Sequence, residues 1–162
     1  MFYDDFFSGL YRNKVKYLLG GGHAVNIYGA NRSTYDIDIL VDLSDENLTG
    51  LLKTVKELKM VPQLPVDIND IKSEKIRNQW INDKNLIVFS LYKQDEPYHT
   101  VDIFLKPVID FGEIYDRKKI IKYNDFEIHV ISKEDLINLK SMANRKKDII
   151  DIEELRKFDE DR

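Results

Sequence analysis

Three acidic residues of this chain lie in apolar segments that are rich in β-branched residues. Asp36 and Asp38 alternate with isoleucines in the segment 35–41, and Asp102 lies between Val101 and Ile103. Because side chains alternate between the two faces of a strand, Asp36 and Asp38 are expected to project to one side. Neighbouring carboxylates repel each other, and a bound cation such as Mg²⁺ is the usual reason to keep them together. The pattern therefore predicts a site for Mg²⁺ or Mn²⁺ at Asp36 and Asp38.

A third carboxylate would make this site a catalytic one. Three carboxylates on adjacent strands can hold one or two Mg²⁺ ions, which neutralise phosphates and lower the pKa of an attacking hydroxyl. Asp36, Asp38 and Asp102 are thus the candidate catalytic and metal-binding residues, with Asp102 as a general base or second-metal ligand. The alternative is an acid at a strand end that faces solvent, and it is stronger for Asp102 than for the pair.

A run of three glycines precedes the acids. Gly20, Gly21 and Gly22 follow a short apolar strand, 17–19, and precede an apolar helical segment, 23–28. Backbone N–H groups at a helix start lack intrahelical acceptors and can bind an anion. Gly21 and Gly22 are therefore candidate phosphate-binding residues. His23 could contact a phosphate or a base, or it could be a packing or capping residue.

Basic residues near the C-terminus are candidate contacts for a triphosphate. The sequence Ser132-Lys133-Glu134-Asp135 has the form of a capping box and predicts a final long helix from about residue 132. On this helix Lys140 could act on a phosphate as a point charge and Arg145 through its bidentate fork, with Lys147 and Asp148 also exposed. The alternative is a solvated face with pairs between Lys147 and Asp151.

The other predicted elements surround these residues. Ser44 is a predicted N-cap, and leucines at helical spacing after it predict a packing helix. The segment 73–81 predicts a helix with Arg77 and Trp80 close together on its surface. The remaining predictions are a helical segment at 11–16 and strands at 86–91, 100–105 and 126–131.

Composition limits the classes of protein. A chain of 162 residues predicts a single domain, 1–162. The absence of cysteine excludes disulfides and thiolate metal sites, and 3 histidines make a structural zinc site unexpected. A net charge of −4 argues against indiscriminate binding of nucleic acid, although a local basic patch could hold an RNA or a triphosphate. No apolar run reaches the length of a membrane span and residues 1–5 are acidic, so we expect a cytoplasmic protein with no membrane partner.

Taken together, these motifs resemble the nucleotidyltransferase superfamily with a polymerase-β-like core, and more narrowly its AbiEii-type branch. The similarity covers positions 17–155, nearly the whole chain. It rests on Gly21-Gly22-x-Ala24, Gly29-x-x-Arg32-x-Thr34-x-Asp36-x-Asp38, Arg77-x-x-Trp80, Val101-Asp102 and Glu134-Asp135-Leu136-Ile137-x-Leu139-Lys140-x-x-Ala143-x-Arg145-x-x-Asp148-x-x-Asp151.

The resemblance implies an α/β (α+β) fold, in which a mixed, twisted sheet is flanked by helices. It implies an Mg²⁺-dependent enzyme that transfers NMP from an NTP to an acceptor hydroxyl and releases pyrophosphate. The implied metal ligands are the three acids. The implied nucleotide-binding residues are Gly21, Gly22, His23, Arg32, Thr34, Lys140 and Arg145.

The acceptor stays open among tRNA or other RNA, a protein and a small hydroxylated molecule such as an antibiotic. A role as the toxin of a toxin–antitoxin pair, with an antitoxin as partner, is also implied by the branch. His23 stands where many members carry Ser or Thr, which keeps open a catalytically silent module that binds a partner or a nucleotide. A metal-dependent nuclease or phosphodiesterase would use similar acids, but the glycine turn argues against it.

Overall fold

A seven-stranded mixed sheet flanked by helices forms the centre of the molecule, which confirms the predicted fold class. The computed structural model describes residues 1–106 and 109–160. The strand order across the sheet is β3-β4-β5-β2-β1-β7-β6. The strands are β1 (Tyr17–Leu19), β2 (Ile37–Val41), β3 (Met60–Pro62), β4 (Val88–Lys93), β5 (Glu96–Phe104), β6 (Lys119–Tyr123) and β7 (Phe126–Val130).

Seven α-helices and one 3₁₀ segment are found among the described residues. The helices are α1 (Phe2–Arg12), α2 (Gly21–Ile27), α3 (Asp45–Glu57), α4 (Glu74–Lys84), α5 (Phe111–Asp116), α6 (Lys133–Ala143) and α7 (Lys146–Glu160), with the 3₁₀ segment at Ile68–Lys72. Across these described stretches, every helix is too short or too polar to traverse a lipid bilayer.

Strand β2 lies in the middle of the sheet between β5 and β1. It runs parallel to β5 and antiparallel to β1, and β1 in turn runs parallel to β7. The outer pairs β3–β4, β4–β5 and β6–β7 are antiparallel. Parallel pairing of β2 with β5 brings together the two segments whose acids were singled out in the sequence.

The two faces of the central strands differ in chemistry. On one face the side chains of Ile37, Ile39, Val101 and Ile103 are at most 1% exposed and belong to the main hydrophobic core. Since side chains alternate along a strand, the other face of β2 and β5 carries the acids together with Leu40 and Phe104. Burial of the apolar face holds the strands together and fixes the register of the acids.

The first helix is longer and begins earlier than predicted. The expected helical segment 11–16 contains only the end of α1, which starts at Phe2, and the chain from Asn13 to Lys16 is not helical. The buried face of α1 comprises Phe2, Phe6, Phe7, Gly9 and Leu10. The phenylalanines and the leucine among them recur at helical spacing, so this pattern in the sequence could have predicted the helix.

Arg77 and Trp80, which were predicted to lie close together on α4, are both buried and pack this helix against its neighbours. Trp80 stacks on Phe89 of β4 with ring centroids 5.3 Å apart. The guanidinium Nη1 of Arg77 donates a hydrogen bond of 2.7 Å to the carbonyl oxygen of Ile71. This pair therefore stabilises the packing of α4 on the 3₁₀ segment and the sheet.

The predicted long C-terminal helix is two helices. Ser132 is the N-cap of α6, and its hydroxyl accepts a hydrogen bond from the backbone N–H of Asp135, as the capping pattern predicted. Asn144 ends α6 in a left-handed conformation, φ 49°, and α7 begins at Lys146. Asparagine tolerates this conformation better than most residues, and it turns α7 back to pack on α6.

Candidate functional site

The three acids lie on one face of the two central strands β2 and β5, and we call Asp36, Asp38 and Asp102 the acid edge. The register of β2 and β5 makes Asp38 and Asp102 direct partners. Asp36 is exposed and precedes β2. Its carboxylate accepts a hydrogen bond from the Thr100 hydroxyl of β5. The Ser90 hydroxyl of β4 donates a hydrogen bond of 2.6 Å to Asp102 Oδ1.

Mutual repulsion and burial change the acidity of these groups. Burial raises the pKa of Asp38 to about 6, and the negative charges of Asp102 and Asp36 add to this effect. Burial also raises the pKa of Asp102, whereas the Ser90 hydrogen bond lowers it. A carboxyl whose pKa is raised by neighbouring anions is a group that a cation would stabilise in its ionised form.

The chemistry of the acid edge fits a hard divalent cation, because its donors are carboxylate and hydroxyl oxygens. Nevertheless, within residues 1–106 and 109–160 no three acidic or histidine side chains converge tightly enough to ligate one metal ion. Asp36 and Asp102 are each engaged by a hydroxyl, Thr100 and Ser90 respectively.

The glycine turn lies directly against the acid edge. A Cβ on Gly21 would come within 1.8 Å of Asp38 Oδ2, and Gly21 has a positive φ of 57°. A Cβ on Gly22 would lie 2.6 Å from the Thr34 hydroxyl and 3.3 Å from Arg32 Cζ. Only glycine allows this approach at both positions. The fold thus brings together the predicted residues Gly21, Gly22, Arg32 and Thr34.

His23 lies in the first turn of α2 and is half-buried. Its Nε2 atom is buried and has no hydrogen-bond partner among the described residues. The ring packs edge-on against Tyr3, with centroids 5.3 Å apart. Burial lowers the pKa of His23, and a hydrogen bond to the backbone of Tyr35 opposes that shift. His23 is therefore neutral. It packs against α1 and the 35–36 segment, which places it next to the acid edge.

A buried network of ion pairs connects α6, α7 and the segment before the acids. Lys140 Nζ lies 2.7 Å from Asp151 Oδ2 and 3.5 Å from Asp148 Oδ1. Arg32 Nη1 reaches the same Asp151 oxygen at 2.6 Å. Arg145 donates to Asp148 from both its Nε atom, at 2.7 Å, and its backbone N–H, at 3.0 Å.

This network corrects the expectation that Lys140 and Asp148 are exposed and free to act, and it shows Arg145 exposed but paired. Asp148 of α7 is fully buried and Lys140 of α6 is 7% exposed, so both side chains are enclosed where the two helices pack together. The Arg145 side chain is 60% exposed, but its guanidinium is held by Asp148. The alternative pairing of Lys147 with Asp151 is also not formed, since Asp151 pairs with Lys140 and Arg32.

Asn26 was missed as a candidate, and Lys147 was named only as an exposed side chain of the final helix. The side chain of Asn26 in α2 holds the backbone of Arg32 with two hydrogen bonds, of 2.8 and 3.1 Å. The positive charge of Lys147, at the start of α7, lowers the pKa of both Asp38 and Asp102. The sequence holds no signal for the first contact, because it depends on how the 29–34 segment folds back on α2.

A cleft of about 320 Å³ lies beside the glycine turn. Leu40 and Phe104 form its floor, since they follow the acids along the same face of β2 and β5. Helix α6 supplies most of its apolar wall, and Lys106, Lys140 and Arg145 add positive charge. The full lining is Gly20, Gly21, Leu40, Ile87, Phe104, Lys106, Leu136, Leu139, Lys140, Met142, Ala143, Arg145 and Asp148.

Comparison with known proteins finds solved nucleotidyltransferase structures with a similar fold. No protein-family model and no curated protein matches the sequence. The structure is similar to the lincosamide antibiotic adenylyltransferase LnuA in its lincomycin-bound form, with a TM-score of 0.61 and 20% identity over 97% of this chain and 94% of that one.

Two further structures are similar to the chain. ANT(2'')-Ia in complex with adenylyl-2''-tobramycin has a TM-score of 0.57 and 14% identity, over 95% of this chain and 85% of that one. A nucleotidyltransferase-like protein from Paracoccidioides brasiliensis has a TM-score of 0.52 and 17% identity, over 91% and 70%. At these identities the likeness concerns the fold, and the chain has the fold of these nucleotidyltransferases.

Proposed function

We propose that the protein is an Mg²⁺-dependent nucleotidyltransferase, which transfers NMP from an NTP to the hydroxyl of a small acceptor. The observation that carries the proposal is the contact between the glycine turn and the acid edge, where Asp38 lies against Gly21 and beside Asp102. This contact would set a triphosphate next to carboxylates able to bind its metal ion. The fold shared with adenylyltransferases supports the same chemistry.

The proposed reaction is an in-line displacement at the α-phosphorus. The acceptor oxygen forms a bond to this atom while the bond to the bridging oxygen breaks, and the electron pair leaves with pyrophosphate. The hydroxyl proton passes to a carboxylate, for which Asp102 is the proposed base, and then to solvent. A bound Mg²⁺ would neutralise phosphate charge and lower the pKa of the hydroxyl.

The residues of the chain have separate proposed roles. Asp36, Asp38 and Asp102 would hold the cation once Asp36 turns from Thr100, and the backbone of Gly21 and Gly22 would approach the phosphates. Thr34 would add a hydroxyl donor, and His23 a neutral ring. Arg32, Lys140 and Arg145 would contribute positive charge that they share with Asp148 and Asp151.

A small hydroxylated acceptor is favoured over a macromolecule by two features. LnuA was solved with lincomycin and ANT(2'')-Ia with adenylylated tobramycin, both of them small molecules. The cleft beside the glycine turn, about 320 Å³, has the size of a small-molecule site. The other hypotheses are transfer to tRNA or to a protein, and a toxin paired with an antitoxin as in the AbiEii-type branch. The destination of a labelled nucleotide would distinguish a small-molecule acceptor from tRNA or protein.

The second candidate function is a catalytically silent module that binds a nucleotide. It is favoured because two of the three carboxylates of the acid edge already accept hydrogen bonds, Asp36 from Thr100 and Asp102 from Ser90. The pairing of Lys140 with two acids favours it too. Both features predict nucleotide binding without turnover.

One experiment separates these functions. The protein is incubated with each α-labelled NTP, Mg²⁺ or Mn²⁺, and a panel of hydroxylated antibiotics, tRNA and cell lysate. Asp38→Asn is the matched control, since it removes a ligand without removing volume. Transfer to a small molecule by the wild type and none by the variant supports the proposal. Binding of NTP without any transfer supports the silent module, and equal transfer by Asp38→Asn contradicts the assigned site.

A further inference from the structure

The cations that surround the acid edge differ in how they are engaged. Arg32 and Lys140 share Asp151, and Arg145 is held by Asp148. A phosphate could approach these side chains only in competition with carboxylates that already neutralise them. Lys147 lies in the same region but is exposed at the start of α7. Its charge is therefore available to a solvent-borne anion.

The position of Lys147 on α7 directs it toward the site. Residues four apart lie on the same face of a helix, so Lys147 shares a face with Asp151. Asp151 contacts Arg32, whose guanidinium lies beside Gly22. Helical side chains also tilt toward the N-terminus of their helix. The Lys147 side chain therefore extends beyond Asp151 on that face, toward the N-terminal end of α7. The glycine turn and the acid edge are the groups on this side of α7.

Electrostatics agree with this placement. The charge of Lys147 lowers the pKa of Asp38 and of Asp102, so it lies within reach of both strands. Its neighbour Lys146 differs, because Lys146 shares its helix face with Ile150, which is 60% exposed to solvent. The two lysines therefore have the same charge and adjacent positions, but only Lys147 points to the acid edge.

We propose that Lys147 contacts the polyphosphate of the nucleotide and stabilises the charge that develops on the leaving pyrophosphate. This inference rests on the proposed function and adds a catalytic residue to it. Without substrate, Lys147 offsets the repulsion among the acids. With substrate, it donates to an oxygen of the leaving group from the side of α7, while Lys140 and Asp151 keep that helix in place.

The test compares Lys147→Ala with Lys146→Ala and Lys147→Arg, all in the full chain. Binding of Mg²⁺ with inorganic pyrophosphate, and of Mg²⁺ with each NTP, is measured by calorimetry, and kcat and KM are measured where transfer occurs. Lys147→Ala should weaken both ligands about tenfold, the effect of losing one charge-assisted hydrogen bond of about 1.4 kcal/mol. Lys146→Ala should stay within about twofold of the wild type, and Lys147→Arg, which keeps the positive charge, should bind both ligands more tightly than Lys147→Ala.

The outcomes separate this inference from the proposed function. If the wild type binds NTP and Lys147→Ala binds it equally well, the role of Lys147 is overturned and the proposed function stands. Equal losses in Lys146→Ala and Lys147→Ala would mean a general charge effect and would also overturn it. If the wild type binds neither pyrophosphate nor any NTP, both are overturned. Unchanged thermal unfolding of the variants verifies that they are folded, as expected for an exposed side chain.

Discussion

Asp38 and Asp102 are direct partners in the parallel pairing of β2 with β5, and each follows a fully buried residue, Ile37 and Val101. The hydrophobic core thus fixes two like charges side by side. Their repulsion is a free-energy cost to the folded state that the apolar face of the same strands offsets. Functional sites of this kind commonly lower the stability of the folded protein. A conservative substitution that removes one of the two charges tests this cost.

Asp38→Asn should remove both activity and part of this cost. The pKa of Asp38 is raised to about 6 in the folded state. Its contribution to stability is therefore greatest below the ordinary carboxyl pKa of 3.8 and is lost as the pH rises through about 6. At pH 7 the variant should be more stable than the metal-free wild type by about 2 kcal/mol.

Urea unfolding followed by the fluorescence of Trp80, the single tryptophan, measures this difference. At about pH 3 the gain should nearly vanish, because Asp38 is then largely protonated in both the folded and the unfolded state. A variant that is less stable than the wild type at pH 7 would contradict the assigned environment of Asp38.

Gly21→Ala should abolish nucleotide binding and destabilise the fold. The new Cβ would meet Asp38 Oδ2 at 1.8 Å, and the positive φ of 57° adds strain of about 1 kcal/mol for a residue with a Cβ. Gly20→Ala is the matched control, since its Cβ would approach only the Leu40 methyl at 3.3 Å. Calorimetric titration with NTP and thermal unfolding of both variants provide the comparison. Wild-type binding by Gly21→Ala would show that the turn is not part of the site.

Ser90→Ala should weaken metal binding while leaving the fold intact. The Ser90 hydroxyl orients the Asp102 carboxylate and lowers its pKa. Loss of an outer contact of this kind typically reduces metal affinity about tenfold or more. Activity is measured against Mg²⁺ and Mn²⁺ concentration at several pH values. The variant should need more metal and show an acid limb shifted to higher pH, and an unchanged metal requirement would contradict the role of Asp102.

Lys140→Ala should destabilise the protein far more than Lys147→Ala. Removing Lys140 leaves the buried carboxylates of Asp148 and Asp151 with less compensation, at a cost of about 3 kcal/mol. Lys147 is exposed, so its removal should change stability by less than about 0.5 kcal/mol. Urea unfolding measures both variants. Equal stability of Lys140→Ala and the wild type would show that the ion-pair network does not anchor α7.

The central part of the site could be predicted because it depends on local patterns. Alternation along two strands predicted acids on one face, and the three glycines predicted a turn between β1 and α2. Mixed α/β architecture also follows from such patterns. By contrast, the placement of β2 beside β5 joins segments that are 64 residues apart in the chain, and in the sequence it could be inferred only from a resemblance.

The burial and ion pairing of the basic residues could not be predicted from their spacing in the sequence. Lys140 and Asp151 lie 11 positions apart, and in a continuous helix this spacing would separate them by about 16 Å along the axis. They meet because Asn144 interrupts the helix and α7 folds back on α6. Once that turn exists, the low dielectric of the interior favours pairing of Lys140 over exposure. The burial of Arg77 and Trp80 is a similar case, since it arises from packing against the 3₁₀ segment and β4.

The ion pair between Arg32 and Asp151 joins positions that are 119 residues apart. Closing so long a loop is entropically costly, and contacts of this separation form slowly during folding. During synthesis, the acid segment leaves the ribosome long before the helix that anchors Arg32 and carries Lys147. The assembled site is therefore a late product of translation, and a nascent chain that stops before α7 would contain all three acids and Arg32 but would lack Lys147 and the carboxylate of Asp151 that holds Arg32.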